Sequence, residues 1–189
     1  MAGPEVNGWL ILAYRLPAEP SRKRVLVWRH LRKLGAIYLE TGIWLVPRRE
    51  HTAKEAKAVL DEIEELGGAA TAFVADDLSP TQTLELQAKF NRVRQSEYAD
   101  LLDKCRRFLS HIERLAKGVD FRFANVEELE EDLEKRRRTL AQVIERDVFD
   151  VGERHAAEAG VKDCEEALAR FTEQAFAANK DGLETALLD

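Results

Sequence analysis

The apolar pattern of this chain changes character once, at Ser79-Pro80, and that change sets what it can fold into. Before it, apolar residues come in short runs punctuated by Pro and Gly. Residues 8–16 (GWLILAYRL) form a short apolar stretch closed by Pro17 and Pro20, which reads as a buried strand. Ser21 can cap a helix running to Leu34, with Gly35 placed to end it. Residues 36–47 (AIYLETGIWLVP), rich in β-branched and aromatic side chains, read as two strands around Thr41-Gly42. His51-Thr52 then opens a second helix: Thr52 and Glu55 have capping-box spacing, and Ala56, Val59, Leu60, Ile63 and Leu66 form one apolar stripe before Gly67-Gly68. Ala69–Ala75 is a further strand, ending in Asp76-Asp77. The expected order over residues 1–78 is β-α-β-β-α-β, the split βαβ unit of a ferredoxin-like domain.

After the change the apolar spacing becomes helical and long. Ser79-Pro80 is a cap followed by proline at the first helical position, with Gln82 at box-like spacing. Apolar residues recur at Leu84, Ala88, Tyr98, Leu101, Cys105, Phe108 and Ile112, up to Gly118. A helix of about 36 residues is about 54 Å long, so it either extends beyond a small domain or bends near residues 91–95. Asn125 with Glu128 starts a second helix carrying Val126, Leu129, Leu133, Leu140, Val143, Ile144 and Val148. A third, after Gly152, carries Val161, Cys164, Leu168, Phe171 and Phe176. Three such helices over residues 79–189 predict an antiparallel bundle or helical hairpin, and the fold class is α+β.

Hydrophobic residues make up 45% of the 189 and charged residues 34%, enough apolar material for one or two cores and too much for a disordered chain. The longest early apolar run, residues 9–14, stops at Arg15, too short for a membrane span or a signal-peptide core, so a cytoplasmic protein is expected. The net charge of −6 argues against a general nucleic-acid binder, until it is divided. Residues 1–49 hold nine Lys/Arg against three Glu; residues 50–78 hold two Lys against eight acids; the remainder holds 18 bases against 24 acids. The chain is a compact basic element on an acidic body.

At 100° per residue, the first helix places Val27, Trp28, Leu31 and Leu34 in one sector with Arg24 inside it, and Arg22, Arg29, Arg32 and Lys33 on the opposite side. Arg15, at the end of the first strand, and Arg48-Arg49, after the third, are expected to add to that cationic stripe. Such a cluster suits phosphates and predicts a salt-dependent affinity for DNA; the plainer expectation is a solvated face paired with Glu62, Glu64 and Glu65. Other chemistry is thinly signalled. His30, His51, His111 and His155 are scattered without metal-site spacing, and Cys105 and Cys164 sit on apolar stripes, far from any CxxC pattern, as packing residues. There is no GxSxG, P-loop or GxGxxG, so neither an enzyme nor a cofactor is indicated.

Residues 9–47 (WLILAYRLPAEPSRKRVLVWRHLRKLGAIYLETGIWLVP) resemble the N-terminal region of the chromate-resistance proteins called ChrB, in which a strand ending YRLP leads into a Ser-Arg basic helix and a Gly/Trp-containing hairpin. The similarity continues through residues 89–109 and 130–149. More distantly, the first 78 residues are similar to the Cas2-like domain of PaaX-type repressors. The resemblance implies a regulator of a chromate-efflux gene, acting as a homodimer on DNA. It also implies a further C-terminal domain in full-length members. Nothing here resembles the winged helix of the PaaX proteins, so DNA contact falls to the basic helix. Metal-dependent nucleases of the Cas2 type carry an Asp near the end of the first strand; here the stretch is Ala13-Tyr14-Arg15-Leu16, and a cation there repels Mg²⁺. Arg15 suits a phosphate or an oxyanion such as chromate instead. The alternative to DNA binding is a non-catalytic module that pairs with a separate sensor subunit.

Overall fold

A computed structural model describes residues 8–186 of the chain. The chain divides into two compact units, residues 1–93 and 94–189. Seven elements begin in the first: β1 (Trp9–Arg15), α1 (Ser21–Leu34), β2 (Ile37–Glu40), β3 (Ile43–Pro47), α2 (Glu50–Glu65), β4 (Ala69–Ala75) and α3 (Pro80–Lys117). The strands form one sheet in the order β2-β3-β1-β4, every neighbouring pair antiparallel. Both α-helical crossovers therefore skip a strand, as a split βαβ order requires.

Strand alternation divides the sheet's two faces. Leu10 and Leu12 of β1, with Trp44 and Val46 of β3, join Val27 and Leu31 of α1 and Ala56 and Ile63 of α2 in a single core. On the other face, Ile11 pairs with Leu45 and Trp9 with Pro47; the Trp9 ring meets Phe90 of α3 edge-on at 6.0 Å. The β2–β3 hairpin turns at Gly42, which holds φ +74°, and a Cβ there would lie 2.5 Å from the Tyr14 carbonyl oxygen. That closeness lets the Tyr14 N–H donate to the Gly42 carbonyl at 2.8 Å, so only glycine fits. β4 is an edge strand with no fully buried residue; Phe73 and Val74 are about half exposed.

The caps follow the sequence in two cases and depart from it in three. Ser21, expected to cap α1, is its first residue with Pro20 before it as N-cap, and the helix expected to start at Asn125 starts at Phe123. Gly35 ends α1 in the left-handed region, and Ser79 and Gln82 satisfy one another's backbone N–H groups at the start of α3. Thr52, expected to cap α2, lies inside it instead. The helix starts at Glu50 with Arg49 as its N-cap, and the Thr52 hydroxyl accepts from the Arg49 N–H at 2.9 Å while donating to the Pro47 carbonyl at 2.8 Å. The threonine ties the helix back to the end of β3 rather than opening it.

α3 is one continuous helix, and the division between units falls within it, at Val93–Arg94. In the second unit its later turns join α4 (Phe123–Arg146) and α5 (Glu153–Ala186) around a core containing Leu101, Phe108, Leu129, Leu133, Leu168 and Phe171. Phe176, expected on the buried stripe, is 61% exposed. Five residues beyond buried Phe171 it has turned about 140° around the helix, where its ring meets Phe123 at 5.1 Å.

Candidate nucleic-acid interface

α1 is positioned by three buried side chains, Val27, Leu31 and Leu34. Taking Val27 as zero at 100° per residue, these lie within about 60° of one another and point into the first core. Trp28, expected to share that sector, sits about 90° from its centre, and the structure leaves it 49% exposed. Spacing put it near the stripe, but the stripe is narrower than four residues.

The opposite side of α1 mixes cationic and apolar groups. Arg22, Arg29, Arg32 and Lys33 are all exposed, as are Val25 and Leu26. The Arg32 guanidinium stands 5.7 Å from the centre of the Trp28 ring, a cation–π contact that places charge and aromatic surface side by side. Trp28 is thus an exposed aromatic within the basic surface, which sequence reasoning assigned to the core. Arg32 and Lys33 also occupy the last turn, where the helix dipole favours positive charge.

The acidic neighbour helix neutralises little of this face. Glu62 of α2 pairs with His30 Nδ1 at 2.5 Å, on the flank of α1. Lys23 turns away to donate to the Leu66 carbonyl at 2.8 Å. Among the described residues, no ion pair joins Arg15, Arg22, Arg29 or Lys33 to a carboxylate.

The remaining expected contacts do not gather at one point. Arg15 is exposed at the end of β1, opposite Ala69 of β4. Arg48 follows Pro47, which stands opposite Trp9 at the other end of β1, so the two places are about 20 Å apart along the strand. The Arg48 N–H donates to the Gly8 carbonyl at 2.9 Å, and its guanidinium approaches Asp76 at 3.7 Å; Arg49 is the α2 N-cap. α1 connects the two ends, its first turn following the Arg15 end and its last turn leading into β2 at the Arg48 end. The seven cations therefore do not form one cluster: α1 carries four of them, and Arg15 and the Arg48-Arg49 pair lie towards opposite ends of β1.

Arg15 also borders an open depression of about 350 Å³ with Leu16, Pro17, Gly67, Gly68 and Ala69. One guanidinium attracts an anion there, but the carbonyl end of α2 faces the same place and opposes it. Among the described residues, no group of three or more His, Cys, Asp or Glu is arranged to hold a metal ion, and no helix is long and apolar enough to cross a membrane.

A four-stranded antiparallel sheet layered with two helices, one of them cationic, followed by a bundle of long helices, defines a mixed α+β protein with a basic helical surface. The sequence model of the family described as "Protein ChrB, N-terminal" matches residues 24–182, most of the chain, and the chain belongs to that family. Membership associates it with chromate resistance. Neither the curated proteins nor the solved structures contain a match to this chain.

Proposed function

We propose that the chain is a DNA-binding regulatory protein of chromate resistance, contacting the DNA backbone through the exposed face of α1. The observation that carries this reading is that Arg22, Arg29 and Lys33 are exposed on one helix face without carboxylate partners among the described residues, beside the Arg32–Trp28 pair. An unpaired cation on a rigid helix is ready to replace a phosphate's counterion, whereas one already in an ion pair must first give up that pair. Arg15 at one end of β1 and Arg48 and Arg49 at the other extend the contact along the duplex. No catalytic step belongs to this reading.

The test is a mobility-shift series in rising salt with the DNA upstream of the chain's own gene. Wild type binds with an affinity that falls steeply as salt rises. The triple variant Arg22→Glu/Arg29→Glu/Lys33→Glu binds far more weakly, and its slope of log K against log salt is shallower by about 2.7, three lost phosphate contacts. Undiminished binding by that variant sinks the proposal.

The alternative, a module that pairs with a separate subunit and binds no DNA, draws on different residues: the exposed Phe73 and Val74 of edge strand β4, and Val25 and Leu26 of α1. It predicts no shift with upstream DNA at any salt, together with self-association or a partner complex in light scattering.

A further inference from the structure

Cys105 and Cys164 are 59 residues apart in sequence, yet the fold of the second unit brings them together. Cys105 lies on the buried side of α3 and Cys164 on the buried side of α5, at 2% and 0% exposure. The Cys164 thiol donates to the Cys105 carbonyl at 3.7 Å. Gly160, one turn before Cys164, explains the close approach. A Cβ there would come within 3.0 Å of Leu102 Cδ2, 3.8 Å of Cys105 Cβ and 3.9 Å of Cys105 Sγ, so α5 runs against α3 with no side chain between them at that turn.

The surroundings polarise the pair. Arg136 of α4 lies over the Phe108 ring at 4.6 Å and donates to the carbonyl of Lys104, the residue before Cys105. The adjoining Cys164 thiol, helped by Arg136 and Arg106, outweighs burial and pulls the Cys105 thiol below the usual thiol range; the adjoining Cys105 and burial push Cys164 upward.

We propose that Cys105 and Cys164 are a modification site: a buried dithiol that a hydroperoxide converts to an intramolecular disulfide linking α3 to α5. The Cys105 thiolate attacks one peroxide oxygen; the O–O bond breaks, a sulfenic acid forms on Cys105, and the departing oxygen takes up the thiol proton and leaves as water or an alcohol. The Cys164 sulfur then attacks the Cys105 sulfur, the S–S bond forms, and the hydroxyl leaves as water with the Cys164 proton. The two sulfurs together give up two electrons, which reduce the peroxide. Because both thiols are buried, the oxidant enters when α5 opens locally from α3, and oxidation runs more slowly than at an exposed thiol. The inference is independent of DNA binding, since it concerns a different unit and different residues.

The experiment treats the purified full chain with hydrogen peroxide, quenches with catalase, and unfolds it in the presence of a thiol-alkylating reagent. The expected result is loss of both alkylation sites, an intact mass lower by two hydrogens, a peptide map joining the segments around residues 105 and 164, and full reversal by dithiothreitol. Thermal unfolding of the oxidised form shifts upward, because the cross-link restricts the unfolded chain. Cys164→Ser, which need only fold well enough to give a helical circular-dichroism spectrum, stops at a sulfenic acid trapped by dimedone. Three results overturn the proposal: both thiols still alkylated after treatment prolonged through many half-lives of local opening, as timed by amide exchange in α5, a disulfide between two chains, or over-oxidation of Cys105 in wild type with Cys164 still free. The wild-type measurement decides the matter even if the variant does not fold.

Discussion

The Tyr98 hydroxyl donates to Asp147 Oδ2 at 3.1 Å, joining the third helix to the connection between the fourth and fifth. Asp147 also accepts from the Val151 N–H at 3.2 Å, so one buried carboxylate holds two donors. Replacing it with alanine strands both, at about 1–3 kcal/mol for each buried group left unsatisfied. We predict that Asp147→Ala lowers the midpoint of urea unfolding by an amount readily measured, while Asp147→Asn, which retains an acceptor, loses less.

The same carboxylate makes a pH prediction. Burial pushes Asp147 above its ordinary value of 3.8, against the opposing pull of the Val151 N–H and Tyr98 hydroxyl. The folded state thus holds this proton more tightly than the unfolded chain. The stabilisation from protonating it is fully present below the ordinary pKa and is lost as pH rises through the raised one. Relative to Asp147→Asn, wild type should gain stability as pH falls from neutrality towards 4, measured by urea titration at each pH. A constant difference between the two proteins across that range refutes the assignment.

Two neighbours on the first helix should behave oppositely. Leu31 is fully buried and Trp28 about half exposed. Leu31→Ala should cost about 2–5 kcal/mol, the usual penalty for a large core truncation, and Trp28→Ala about 0.5 kcal/mol or less, the range of surface changes. On the DNA-binding reading, Trp28→Ala weakens binding without altering the salt slope, because an indole releases no counterion. Parallel thermal melts and salt-series binding separate the two effects.

At the hairpin, Gly42→Ala places a methyl group 2.5 Å from the Tyr14 carbonyl oxygen in a backbone conformation that alanine resists. Backbone strain of this kind costs about 1–3 kcal/mol, and the Tyr14–Gly42 hydrogen bond must lengthen as well. The expected outcome is a lower melting temperature with faster amide exchange at Tyr14, and helix exchange rates in the second unit unchanged.

What the sequence disclosed was what depends on neighbours along the chain. Alternation and punctuation placed Ala69–Ala75 as a strand at both ends, Gly35 as a helix stop, and Ser79 with Gln82 as a cap, because each rests on contacts within a few residues. Thr52 misled because its hydroxyl serves Pro47, and nothing in a capping-box spacing reveals which side of the helix start a threonine will face. Trp28 and Phe176 misled because periodicity gives direction around a helix but not the width of the surface it meets. The cationic residues of α1 were found by charge and spacing alone. That Arg15 and Arg48 lie at opposite ends of β1 depended on strand register, and the meeting of Cys105 with Cys164 depended on how two distant helices pack.

α1 carries six cations and no carboxylate; α2, beside it, carries six carboxylates against two lysines. Such a charge separation gives the first unit a permanent electric moment directed from one helix to the other. In the field of a polyanion such a moment gives the unit a torque that turns α1 towards the charge. Orientation during approach is thereby a property of two adjoining helices, and it fades as added salt shortens the distance over which the field is felt.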